Sequence, residues 1–187
     1  MQTYRLICHP DTPQSALSDV EVVIGRRGVC CLSLSFRAIG RVGEVAWPGD
    51  RPLGFENWQQ ADELWQHSCF EAFVRAEGET GYTELNFATS GQWAAYGFND
   101  YREGMSPVEE LTLHSASWQI QKARTDLNAV LGLPPAYLGK NWELGISAVI
   151  EACDGSKSYW ALAHPPGKPD FHHPDCFAAT LPAPDAS

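Results

Sequence analysis

Hydrophobic and polar positions along this chain alternate with a period of two far more often than with the 3.6-residue period of a helix. VEVVIG (20–25), VCCLSLSF (29–36), LWQHSCFEAFVRA (64–76), YTELNFAT (82–89) and QWAAYGF (92–98) all read as strands. SWQIQKARTDL (117–127), WELGISAVIEA (142–152), SYWALA (158–163) and CFAATL (176–181) extend the series. Aromatic and β-branched residues dominate these segments, as a pleated, half-buried surface favours. Turn chemistry separates them at RRG (26–28), AEGETG (76–81) and TSG (89–91). Helix is confined to a turn or two at NWQQADELW (57–65) and at DLNAVLG (126–132), the latter stopped by Pro134 and Pro135. About nine or more short strands joined by turns predict an all-β fold. The expected architecture is an antiparallel β-sandwich, jelly-roll or immunoglobulin-like, formed by residues 1–187 as one domain with a loose tail from about Pro182.

The segments 64–76 and 82–89 also imply a register. If Ala76 faces Gly81 across the turn, Phe70 faces Phe87, Ala72 faces Leu85 and Val74 faces Thr83. That apolar layer belongs to the core. The other face then sets Glu71 opposite Asn86 and Glu84 opposite Phe73, with Trp65 and His67 further along. A solvent-facing sheet would normally carry Lys, Thr and Ser as well; this face carries rings beside carboxylates and an amide. A sugar ring matches such a surface, because its C–H faces stack on aromatic rings while its hydroxyls donate to fixed oxygens. Trp93 and Arg102 join the expected site, Arg102 as the cation that offsets the carboxylates. The alternative covers this face with loop 99–116 and satisfies its polar groups locally.

Composition narrows the partners. Of the 187 residues, 44% are hydrophobic and 19% charged, which are globular values and exclude general disorder. A formal charge of −10 repels nucleic acid and anionic membranes, and no Lys/Arg run offsets it. No apolar run approaches the roughly 20 residues of a spanning helix. MQTYRLICHPDTPQ lacks a charged-then-apolar signal pattern, so a cytoplasmic location is expected. The six cysteines include no C-x-x-C pair and are expected to be reduced.

Several motifs resemble a known family. Trp65, Cys69-Phe70-Glu71, Phe73, Tyr82-x-Glu84-x-Asn86-Phe87 and Gly91-x-Trp93 are similar to the central hairpin of the DOMON-like superfamily related to family-nine carbohydrate-binding modules. The ending, Tyr159-Trp160-Ala161-Leu162-Ala163-His164-Pro165 with Lys168-Pro169-Asp170-Phe171-His172, resembles its uncharacterised bacterial branch. The likeness is strong over roughly residues 60–105 and otherwise rests on strand pattern. It implies a β-sandwich that binds a carbohydrate or similar small polar ligand, often between two aromatic rings, and it brings Trp160 into the expected site. Other relatives bind haem b.

Three further chemistries have candidates. HPPGKPDFHHPDC (164–176) is a proline-rigid stretch in which His164, Asp170 and His172 are possible ligands of a divalent metal. Adjacent His172 and His173 diverge if extended, which disfavours a shared ion. Glu71 and Glu84, as diagonal neighbours about 7 Å apart, could serve a hydrolase as acid and base. Haem would draw an axial ligand from Met105, His67, His114 or His164. The leading expectation is a non-catalytic binding domain with no cofactor.

Overall fold

The computed structural model describes residues 1–13, 16–49 and 51–184. Among the described residues, fourteen strands run in chain order: β1 (Gln2–Arg5), β2 (Ile7–Cys8), β3 (Leu17–Arg27), β4 (Cys31–Gly40), β5 (Gln59–Gln60), β6 (Cys69–Ala76) and β7 (Tyr82–Ala88), then β8 (Gln92–Phe98), β9 (Ser106–Pro107), β10 (Thr112–Ile120), β11 (Arg124–Gly132), β12 (Trp142–Glu151), β13 (Lys157–Ala161) and β14 (Ala179–Leu181). Helical structure among the described residues is limited to short 3₁₀ turns, including Leu64–Gln66 and Pro174–Cys176.

The strands form two sheets. The smaller has the order β1-β3-β4-β11-β10, and the larger β2-β13-β12-β6-β7-β8-β5, with β14 beside β12 and β9 beside β8. Pairing is antiparallel except for β5 with β8. The chain crosses between sheets at buried Leu6, since β1 pairs with β3 while β2 pairs with β13. This is an all-β sandwich. Its core lies between the sheets, where Val22, Phe36 and Leu127 of the smaller meet Phe70, Leu85 and Ile146 of the larger. The Phe36 and Phe70 rings approach to 5.0 Å.

The β6–β7 register is the one derived above: Phe70 pairs with Phe87, Glu71 with Asn86, Ala72 with Leu85 and Phe73 with Glu84. Period-two patterning and a tight turn determine it together, because a slip of one residue would expose the whole apolar face. Gly78 (φ +82°) and Gly91 (φ +77°) occupy left-handed positions in the two turns that flank β7.

Of the two stretches expected to hold a helical turn or two, one is a strand and the other keeps only 3₁₀ turns. Residues 126–132 belong to β11, where Leu127, Ala129 and Leu131 alternate into the core. The break falls at 121–123, so the segment 117–127 is a hairpin, with Gln119 opposite Asp126. The 57–65 stretch holds only parts of two 3₁₀ turns and the short β5. Pro182 and Ala183, at the start of the expected tail, each make one hydrogen bond. The Pro182 carbonyl accepts from Arg26, and the Ala183 N–H donates to Asn141 Oδ1 at 2.7 Å. Residues 185–187, the end of the expected tail, lie outside the described residues.

The two sheets are not equivalent. β4 buries alternate residues, whereas β6 and β7 are buried along both faces, save for partly exposed Arg75. Something therefore covers the outer face of the larger sheet.

Candidate functional site

The cover consists of the 3₁₀ turn Leu64–Gln66 together with two segments, 99–105 and 164–178. A second apolar cluster forms beneath them, built from Phe73, Tyr82, Tyr96, Phe98, Val149 and Phe171, with Trp65 and Tyr159 at its margin. The cover is incomplete. A cavity of about 400 Å³ remains, with Glu71 and Glu84 in its lining, aromatic walls from Trp65, Phe73, Phe98, Tyr159 and Phe171, and Arg102, Met105 and His172 beside them.

Alternation brings the carboxylates there. Glu71 lies on β6 between Phe70 and Ala72, which face the core, so its side chain must project outward. It is 2% exposed. Ser147, its partner across β12, donates Oγ–H to Glu71 Oε2 at 2.9 Å. No hydrogen bond reaches its other oxygen among the described residues. Burial first, and then the Glu84 charge, push the Glu71 carboxyl up to about 8, against the pull of the Ser147 bond.

Glu84 is likewise buried, at 5% exposure. Asn86 donates Nδ2–H to Glu84 Oε1 at 2.8 Å, while its Oδ1 lies 3.6 Å from the Cys69 thiol. Burial raises the Glu84 pKa, and the Asn86 bond and the Arg102 charge oppose that rise. His172 Nε2 stands 3.7 Å from Glu84 Oε2, too far for a hydrogen bond. The other ring nitrogen, Nδ1, is 2.7 Å from the Tyr82 hydroxyl, which itself accepts the Arg102 backbone N–H at 3.2 Å. That pattern makes the Tyr82 hydroxyl the donor to Nδ1 and assigns the ring proton to Nε2. Burial and the Arg102 charge bring His172 down to about 4, so it is neutral at pH 7.

The covering segments are held by Asp170. It accepts from Arg102 Nη2 at 2.8 Å, from the Tyr101 hydroxyl, and from the His172 backbone N–H at 3.2 Å. Against the effect of burial, these donors hold its carboxyl below the usual range. Arg102 sits at φ +57°, a backbone conformation that side chains other than glycine seldom adopt. Gly145 on β12 lets the Pro174–Cys176 turn lie close on the sheet, since a Cβ there would meet the Cys176 carbonyl oxygen at 3.2 Å.

Several expectations need correction. Trp93 pairs with Phe87 and lies in the inter-sheet core. The register of the first hairpin, carried through the TSG turn, reverses the side Trp93 faces. Trp160 is also in the core, because it pairs with Ala148, itself opposite Phe70. Its neighbour Tyr159 faces the cavity instead. His67 is largely exposed and pairs with Glu151 at 2.7 Å, away from the cavity lining. Asn86, fully buried, supports Glu84 from below and does not line the cavity. Arg102 lines the cavity, but its ion pair is with Asp170 rather than with Glu71 or Glu84.

The metal candidates do not converge. His164 Nε2 lies 2.8 Å from the Ile7 carbonyl and its ring packs edge-on against His9, while Asp170 is engaged by Arg102 and Tyr101. No group of three metal-ligating side chains forms among the described residues. His172 and His173 do diverge: the first packs on Phe73 and Phe98, and the second caps the 3₁₀ turn by accepting from the Asp175 N–H. Of the haem candidates, Met105 borders the cavity, whereas His114 lies on the other sheet, beside Gly132. All six cysteines are free.

Sequence reasoning missed Ser147, Phe98, Tyr159 and Phe171. Strand parity could have found the first three once β6 was fixed as the reference. Phe171 lies in a loop and has no such signal.

No protein-family model matches the chain, and no curated protein matches it. Among solved structures, the chain is similar to a Bacteroides uniformis protein named a "putative carbohydrate-binding protein", with a TM-score of 0.62. The superposition covers 97% of this chain and 85% of that one at 15% identity. The likeness is one of fold.

Proposed function

We propose that this protein is a binding domain for a small carbohydrate or similar polyol, held in the cavity on the outer face of the larger sheet. The observation that carries the reading is the half-free Glu71 carboxyl, buried within a ring of aromatic side chains. A cavity of about 400 Å³ matches small-ligand sites in size and in its mostly apolar lining. Tyr159 and Phe171 supply stacking faces, and the free Glu71 oxygen and Glu84 are the polar groups that would fix orientation. Similarity in fold to a protein named for carbohydrate binding supports the same direction, and kinship with the DOMON-like branch is part of the proposal.

Titration calorimetry of the purified protein against a panel of mono- and disaccharides tests it. Binding by wild type that is lost in Tyr159→Ala is the expected result. A panel with no binder overturns the reading.

A second reading, hydrolysis, is favoured by one observation: Glu71 is pushed to about 8 beside a second carboxyl, as a general acid requires. Release of chromophore from aryl glycosides, abolished by either Glu→Gln change, would select it over simple binding.

A further inference from the structure

The charges around the cavity do not balance. Glu71 and Glu84 both line it, each more than nine-tenths buried, and Asp170 stands at its rim. Among the described residues, the one guanidinium in the lining, that of Arg102, is ion-paired to Asp170. Ser147 and Asn86 donate to the two glutamates as neutral groups. His172, caught between Tyr82 and the Phe73 and Phe98 rings, brings no compensating charge at neutral pH. Among the described residues, two carboxyls in a low-dielectric site thus lack a committed cation, and one oxygen of Glu71 lacks a donor.

Sugar hydroxyls alone would satisfy the oxygens and leave the charge. A hydroxyl donates one neutral hydrogen bond, and it does little to let both carboxyls ionise together, set as they are on diagonal strand neighbours whose positions lie roughly 7–8 Å apart. An ammonium placed between them would satisfy both needs, with three N–H donors and a full positive charge. The surrounding rings act in the same sense, because the π-faces of Trp, Tyr and Phe attract cations most strongly in desolvated sites.

We infer that the ligand is an amino sugar, its protonated amine seated between Glu71 and Glu84 and its ring against the aromatic walls. This rests on the carbohydrate reading for the ring and on the uncompensated carboxyls for the amine. Seating an ammonium favours ionised Glu71, so binding should release a proton. The titratable groups facing Glu71 are Glu84 and Cys69 from the sheet, Tyr159 from β13, and His172 and Arg102 from the cover. Glu71 itself, pushed up to about 8 by burial and the Glu84 charge, is poised to give up a proton near neutrality.

Calorimetry with glucosamine, N-acetylglucosamine, glucose and cyclohexylamine, each in two buffers of different ionisation enthalpy at pH 7, tests the inference. Expected are at least tenfold tighter binding of glucosamine than of glucose or the acetylated sugar, and a buffer-dependent heat corresponding to proton release. Glu71→Gln should abolish the buffer dependence and reduce the preference for the amine. Equal affinity for glucose and glucosamine would overturn the amine and leave the carbohydrate reading standing. Cyclohexylamine bound as tightly as glucosamine, with glucose inert, would overturn the sugar and leave a cation site. No binding by any of the four overturns the amino-sugar assignment. The wider saccharide panel then decides the carbohydrate reading separately.

Discussion

Asn86 lies directly across the β6–β7 ladder from Glu71, yet its side-chain N–H donates to Glu84, two residues away on its own strand. Asn86 thus steadies one carboxyl and leaves the other to Ser147 alone. Each carboxyl thus has one neutral donor, and it is burial, followed by the Glu84 charge, that pushes Glu71 up to about 8, whereas the Arg102 charge helps to hold Glu84 down.

Stability should therefore depend on pH through Glu71. Its folded pKa, about 8, lies above its ordinary value of 4.5, so the folded chain holds the extra proton between those limits. The stability this group contributes is complete below 4.5 and is lost as pH rises to about 8. Glu71→Gln, which keeps an acceptor for Ser147 and cannot ionise, should gain in Tm relative to wild type between pH 5 and pH 8. Melting curves that stay parallel across that range would contradict the assignment. The same variant should weaken ligand binding by about 1–3 kcal/mol, the scale of a charge-assisted hydrogen bond.

Tyr159 and Trp160 are adjacent and face opposite ways. Trp160→Ala should cost about 3–5 kcal/mol in denaturant unfolding, because it empties part of the inter-sheet core. Tyr159→Ala removes a half-buried wall of the cavity and should cost about 1–2 kcal/mol. Its main effect should appear as lost ligand affinity. Equal unfolding penalties for the pair would show that the β13 facing is wrong.

Asp170 joins the two covering segments. Its depressed pKa means that the stability it contributes is present above the ordinary aspartate value of 3.8 and is lost as pH falls through the depressed one. Asp170→Asn should lower stability by about 1 kcal/mol at pH 7, since the ion pair is partly exposed. Amide hydrogen exchange should rise in 99–105 and 164–178 and stay unchanged in β6 and β7. A rise spread over the whole sheet would argue against a local clasp.

Gly145 tests how closely the cover sits. Gly145→Val places methyls where the Cys176 carbonyl oxygen and Phe73 Cβ now lie, 3.2 and 3.4 Å from a bare Cβ. Overpacking of this kind costs about 1–3 kcal/mol. The Pro174–Cys176 turn should lift, with faster exchange in 170–177 and weaker ligand binding. Wild-type affinity in that variant would place the ligand away from this part of the cover.

The sequence by itself determined the sandwich class and the first hairpin of the site. Period-two alternation gives each strand two faces, and the short turn after Ala76 leaves one pairing of β6 with β7 that buries Phe70, Leu85 and Phe87 together. Glu71, Glu84 and Asn86 follow onto the other face because a strand permits no third direction. For a lone strand, alternation does not say which face looks inward. Trp93 was placed on the wrong face for that reason and Trp160 by family likeness alone, and only pairing with Phe87 and with Ala148 settles them. DLNAVLG misled in a related way: a short apolar run fits a helical turn as well as a strand, and its neighbours β4 and β10 made it a strand. The cavity belongs wholly to the tertiary structure. Phe171 and Arg102 reach it from loops whose course carries no period, and the contacts that seat them, Asp170 with Arg102 and His172 with Tyr82, join residues far apart in the chain.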